Sequence, residues 1–152
     1  MKTIHLKAKS LSVVRNYVNK IRDIDNHPIE SGIKDLVIGL RRWGIDTIGS
    51  CQGHLSGRHS PYIDVRYKDL KKASMLLWSW NDPNNKNKWV LCPIGVDLVV
   101  VMPSKTDKRR LYKNKKEAKK FGIALQKIPA DYFKTVVDKK GIFIRENYSK
   151  FR

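Results

Sequence analysis

At 152 residues the chain is long enough for one core of ordinary size and too short for two typical domains. Its 32 Lys+Arg against 14 Asp+Glu give a formal net charge of +18, far beyond what solubility requires, so nucleic acid, nucleotides or an acidic surface are the natural partners. No apolar run approaches the roughly 20 residues that cross a bilayer, and the start Met1-Lys-Thr-Ile-His-Leu-Lys7 lacks a signal-peptide core, so a cytoplasmic protein without a membrane partner is expected.

Val14, Tyr17, Val18, Ile21 and Ile24 recur at helical spacing, which predicts an amphipathic helix over about Ser10 to Ile24 with Ser10 as N-cap. A break follows at Asp25-Asn-His-Pro28. A second helix is marked by the stripe Ile29, Ile33, Leu36, Val37 and Leu40, with Arg41 and Arg42 at its C-terminal end and Gly44 as terminator. It leads into a short strand, Ile45 to Ile48, and then a turn rich in small and reactive side chains, Gly49-Ser-Cys-Gln-Gly-His54.

Tyr62 to Tyr67 alternates apolar and polar side chains, as a strand with one buried face does; Ile63, Val65 and Tyr67 are expected to point inward. Asp69 to Trp80 reads as a helix with Leu70, Ala73, Leu77 and Trp80 on one side. Strands at Lys88 to Cys92 and Val96 to Met102 form a hairpin across Pro93-Ile-Gly95, and the second, the most apolar run, should be central. Within it, Asp97 is a second place to look for function, because a buried carboxylate is costly unless paired.

Between Lys105 and Lys127 ten basic residues face two acidic ones, with Leu111, Ala118, Phe121 and Leu125 at loose helical spacing: a basic surface helix packed by a narrow stripe. Pro129 to Val137 is expected to be helical, Ile142 to Arg145 a strand, and 146–152 a frayed tail. These elements predict one α+β domain over 1–152, with a mostly antiparallel sheet covered by helices.

The segment Ile45 to His54 is the best candidate for a ligand site. Backbone N–H groups around a Gly-rich turn can cradle phosphate, Ser50 can donate a hydroxyl hydrogen bond, Gln52 can read a base edge, and His54 can bind an anion or move a proton. Gly53 lets the backbone approach a ligand, and Thr47 lies just before the turn. In the plainer alternative, Thr47 and Ser50 only satisfy the turn backbone and Cys51 is a small buried residue. Arg58, His59 and Arg66 complete the candidate pocket.

Cys51 could be a nucleophile with His54 as base, but no acidic residue stands out in the sequence as an orienting third member. Cys51, His54, His59 and Cys92 are of the right types for zinc, yet lack the second compact pair of a recognisable site, so no metal is expected. Two cysteines in a basic cytosolic chain are also more often thiols than a disulfide. A second surface, made of Lys108, Arg109, Arg110, Lys113, Lys115, Lys116, Lys119 and Lys120, would hold a polyanion without reading its sequence, unless it is only a solvated face. Tyr112, Trp78 and Trp89 could stack on bases if exposed.

The order of these residues, a helix face Ile-x3-Ile-x2-Leu-Val-x2-Leu, then Gly44-Ile-Asp-Thr-x-x-Ser-Cys-Gln-Gly-His54, then Pro61-Tyr-Ile, resembles uncharacterised bacterial and phage proteins with a Thr-x-x-Ser-Cys-Glu-Gly-His pattern. It spans roughly Ile29 to Val65. More distantly, it is similar to the wybutosine-synthesising tRNA methyltransferases, where the corresponding helix and strand end in Thr-x-Ser-Ser-Cys-Ser-Gly-Arg; here Gln52 stands in place of the Ser after Cys and His54 in place of Arg. The latter likeness implies an α+β fold, RNA as substrate and S-adenosylmethionine as cofactor, although the chain has no Gly-rich cofactor signature of its own. The leading expectation is a binding protein for a nucleic acid or nucleotide, including a phage-type protein that sequesters a cyclic nucleotide. The alternatives are an S-adenosylmethionine-dependent RNA-modifying transferase and a basic protein-interaction module.

Overall fold

Two helices that cross at a pair of glycines organise the core of the computed structural model, which describes residues 2–57, 59–81, 88–132, 134–137 and 143–144. In chain order the elements are β1 (Lys2–His5), α1 (Leu11–Lys20), α2 (Ser31–Arg42), β2 (Thr47–Cys51), β3 (Tyr62–Arg66), α3 (Leu70–Trp80), β4 (Trp89–Ile94), β5 (Leu98–Pro103), α4 (Leu111–Lys127), β6 (Lys134–Val137) and β7 (Phe143–Ile144). The fold is α+β, as expected. Four strands pair antiparallel in the order β2-β3-β5-β4, and a second antiparallel sheet has the order β1-β6-β7.

Helix α2 forms because Ile33, Leu36, Val37 and Leu40 fall on one face and all four are buried. Trp43 ends it, and Gly44 follows with φ +78, a left-handed conformation that glycine adopts without steric cost. Helix α4 packs against it and buries Leu111, Ala118, Phe121 and Leu125, and also Asn114, Gly122 and Gln126, a broader face than the apolar residues alone suggest. The two helices run in the same direction. At one end Lys115 lies over Gly32; at the other, Arg42 NH1 donates to the Leu125 and Gln126 carbonyls, both at 2.8 Å, and Trp43 Nε1 donates to the Leu125 carbonyl at 2.9 Å. Partial burial holds the Arg42 guanidinium below its ordinary pKa by desolvation, and the carbonyls at the end of α4 are the partners that make such a half-buried cation tolerable.

Helix α3 is fixed by aromatic packing: Trp80 stacks on Phe121 with ring centroids 4.9 Å apart, and Trp89 of β4 meets the same ring at 5.8 Å. Trp89 is therefore a core residue and not a base-stacking platform. Strand β5 is flanked by β3 and β4, which confirms it as central.

Several elements differ from the sequence expectations, for local reasons. Helix α1 stops at Lys20 and leaves Ile24 fully exposed in the following turn, where Asn26 has φ +64. Ser10 holds the N-cap position, but its hydroxyl meets Ser12 at 3.1 Å and caps no backbone N–H. Tyr67 is half exposed, because β3 ends at Arg66 and a 3-10 turn rotates the chain. Strand β4 continues through Pro93 and Ile94, so the hairpin turn is Gly95-Val-Asp97 and Asp97 is exposed on it. Within the span expected to be helical, residues 134–137 form β6, which pairs with β1. Strand β7 is Phe143–Ile144, and the tail 146–152 lies outside the described residues. No helix among the described residues is long and apolar enough to cross a membrane.

Candidate functional site

Half of the segment expected to be a turn, Gly49 to Cys51, is strand. Thr47 to Cys51 form β2, with Ser50 opposite Ile63 and Cys51 opposite Tyr62, and the ladder slips by a residue between Thr47 and Gly49. Such a bulge bends an edge strand. The strand ends at Cys51, Gly53 takes a positive φ, and the chain bends at Leu55 to Gly57.

Thr47 is positioned by Arg41, whose Nε donates to Oγ1 and whose NH2 donates to the Thr47 carbonyl, both at 2.6 Å; the same guanidinium lies 4.7 Å from the centre of the Tyr17 ring. Most of the polar capacity of Thr47 is thus used to tie β2 to α2. Gly53 has φ +83, and an added Cβ would lie 2.7 Å from Leu111 Cδ1 and 2.9 Å from the Ser60 carbonyl carbon. Only glycine fits there. The start of α4 is therefore pressed against this turn.

One residue outside the candidate set holds it together. Glu30, at the N-cap of α2, accepts from the Gln52 backbone N–H through Oε2 at 2.7 Å and pairs through Oε1 with His54 Nε2 at 2.8 Å. Gln52 in turn uses its side-chain oxygen to accept the Gly32 N–H at 3.0 Å, satisfying a donor in the first turn of α2. The Gly53 N–H donates to Cys51 Sγ at 3.3 Å, and His59 Nδ1 donates to the His54 carbonyl at 2.9 Å. Two backbone N–H groups that sequence reasoning offered to phosphate are thus already bonded to Glu30 and Cys51. The acidic partner that the sequence did not reveal is Glu30; its only sequence signal is an acid just before the helix that precedes the motif.

Glu30, Cys51 and His54 bring their donor atoms within 4.8 Å of one another. His59 is engaged elsewhere. Cys92 is exposed on β4, three strands from β2, which at about 4.8 Å per strand puts it roughly 14 Å away. The four-residue zinc set and a Cys51–Cys92 disulfide are both ruled out by that separation.

A cleft of about 580 Å³ opens between β2 and the 21–30 connection. Arg22, His27, Glu30, Ser50, Cys51 and Tyr62 line it, over a floor that includes Val37. Arg22 NH1 donates to the Asn19 and Ile21 carbonyls at 2.7 and 2.8 Å, closing the end of α1. Asp23 accepts the His27 and Asp25 N–H groups at 2.7 and 2.9 Å; the hydrogen bond from the His27 backbone is the main reason its carboxyl sits below its ordinary pKa. Arg22 and His27 thus stand beside Asp23 and Glu30 around the cleft, which has the size of a small-molecule site but no excess of positive charge.

The excess lies on α4. Lys113, Lys116, Lys119 and Lys120 are exposed, and the helical period turns them away from the buried stripe; Lys108 and Arg109 are exposed on the preceding 3-10 turn. Among these residues Arg110 pairs with Asp107 at 3.7 Å, and the other basic residues of 108–120 make no ion pair among the described residues. Lys115 is half-buried, its stem lying where an added Gly32 Cβ would meet Cε at 3.1 Å, so this helix borders Gln52. Tyr112 is exposed on the same helix and Trp78 is half exposed on α3. Arg66 is exposed at the end of β3, and Arg58 lies outside the described residues.

Comparison with known proteins finds no matching family model, no matching characterised protein and no matching solved structure.

The hydrogen bonds of Gln52 make a prediction. Gln52→Ala removes the acceptor of the Gly32 N–H and is expected to destabilise the protein by about 1 kcal/mol, as loss of a helix cap does. Thermal unfolding checks this; an unchanged midpoint would mean that the amide serves a ligand and not the fold.

Proposed function

We propose that this protein binds a phosphate-bearing polymer, a nucleic acid, across the outer face of α4 and its preceding 3-10 turn, with the Gln52 to His54 segment at the edge of that surface. The observation that carries this reading is the run of exposed cations from Lys108 to Lys120 with almost no acidic compensation in a chain of net charge +18. On an ordinary solvated helix, acidic residues at three- and four-residue spacing would relieve the repulsion; Glu117 is the only one within α4. Like-charge crowding costs stability, so its presence supports a partner that neutralises it.

Exposed Tyr112 lies among these cations and adds a ring on which an unpaired base can stack. A mononucleotide fits the mixed-charge cleft less well, because Asp23 and Glu30 offset Arg22 and His27. Fluorescence anisotropy with a labelled oligonucleotide, repeated over a range of salt concentrations, tests the reading. Binding that weakens steeply with salt is expected, and affinity independent of salt would refute it.

A further inference from the structure

We propose that Glu30, Cys51 and His54 form a binding site for a zinc ion. Their carboxylate, thiol and imidazole atoms lie within 4.8 Å of one another, so small side-chain rotations bring all three to the usual zinc–ligand distances of about 2.0–2.3 Å from a single ion. The ligand chemistry favours zinc over magnesium or calcium, which take oxygen donors, since two of the three donors are nitrogen and sulfur.

The groups are also held in place by contacts that a chance cluster would lack. The Gln52 N–H fixes the far oxygen of Glu30 at 2.7 Å, which leaves Oε1 aimed at His54. The Gly53 N–H donates to Cys51 Sγ from 3.3 Å and so fixes the position of the sulfur. These are the outer contacts that orient ligands in zinc sites. Gly53 is in turn locked by Leu111 and Ser60, so the Cys51-x2-His54 loop cannot take up a side chain at that position without moving its ligands.

Three protein ligands leave a fourth position of a tetrahedral ion for water or another ligand. Glu30 and Cys51 are themselves walls of the 580 Å³ cleft, so that position has room beside it. Neither His59 nor Cys92 belongs to the set, for the reasons given above.

The protein, stripped with a chelator, is titrated with Co2+ as a spectroscopic probe and then with Zn2+. One equivalent of Co2+ should produce the thiolate charge-transfer band and the visible bands of a tetrahedral site, and Zn2+ should displace them. Cys51→Ser should abolish the charge-transfer band, Cys92→Ser should keep it, and Glu30→Gln should weaken binding roughly tenfold or more while the band remains. Absence of a saturable band in the unmodified protein overturns the proposal, as does a band lost in Cys92→Ser. Should Cys51→Ser fail to fold, the unmodified protein and Cys92→Ser decide the matter between them.

Discussion

Gly122→Ala is expected to destabilise the protein by about 3 kcal/mol or more, although alanine is the better helix former by about 1 kcal/mol. An added Cβ at Gly122 would overlap the Asp35 carbonyl group and the Leu36 nitrogen, and backbone cannot rotate aside as a side chain can. Relief would require α2 to move off α4. That motion would open the contacts of Leu36, Leu40, Phe121 and Leu125, all fully buried, and lengthen the bonds from Arg42 and Trp43 to the end of α4. Gly39→Ala should cost less, because its added Cβ would meet Leu125 Cβ at 2.8 Å and the Gly122 carbonyl oxygen at 2.9 Å, a shallower overlap than the one at Gly122. For a chain of this size the larger loss corresponds to a fall in Tm of roughly 6–12 °C. A Tm unchanged or raised by Gly122→Ala would mean that the two helices do not cross there.

This crossing shows which parts of the fold were legible in the sequence. The face of α2 and the central strand β5 could be read because their burial is recorded in local periodicity, Ile33-Leu36-Val37-Leu40 in one and an unbroken apolar run in the other. The close approach at Gly122 leaves no periodic trace; a glycine inside a helix reads as a weakness until its neighbour is known. Residues 134–137 were misread because their pairing partner is β1, at the other end of the chain, and no local pattern encodes a contact of that separation.

The candidate site divides in the same way. Cys51 and His54 stand out because they are chemically distinctive and close in sequence. Glu30 does not, since it reaches them only when the first turn of α2 packs beside the end of β2. A reading that lacks this carboxylate favours recognition by spare backbone amides. With Glu30 in place, those amides are occupied, and the polyanion surface we propose is the one on α4 instead.

Replacing Lys113, Lys116, Lys119 and Lys120 together with alanine separates a binding surface from a solvated one. If each contacts a phosphate, the slope of log affinity against log salt should fall by about 0.9 per residue on duplex DNA, or about 3.6 for the four, and by about 0.7 per residue on a single strand. Affinity at low salt should drop by roughly two orders of magnitude or more. Stability should move the other way. The four side chains are exposed and like-charged at three- and four-residue spacing, so removing them relieves repulsion of a few tenths of a kcal/mol per pair, and alanine costs the helix nothing. Loss of affinity with an unchanged or higher Tm therefore cannot be ascribed to unfolding. An undiminished slope would place the polyanion elsewhere on the molecule and would leave the crowding of charge on α4 without a binding partner to account for it.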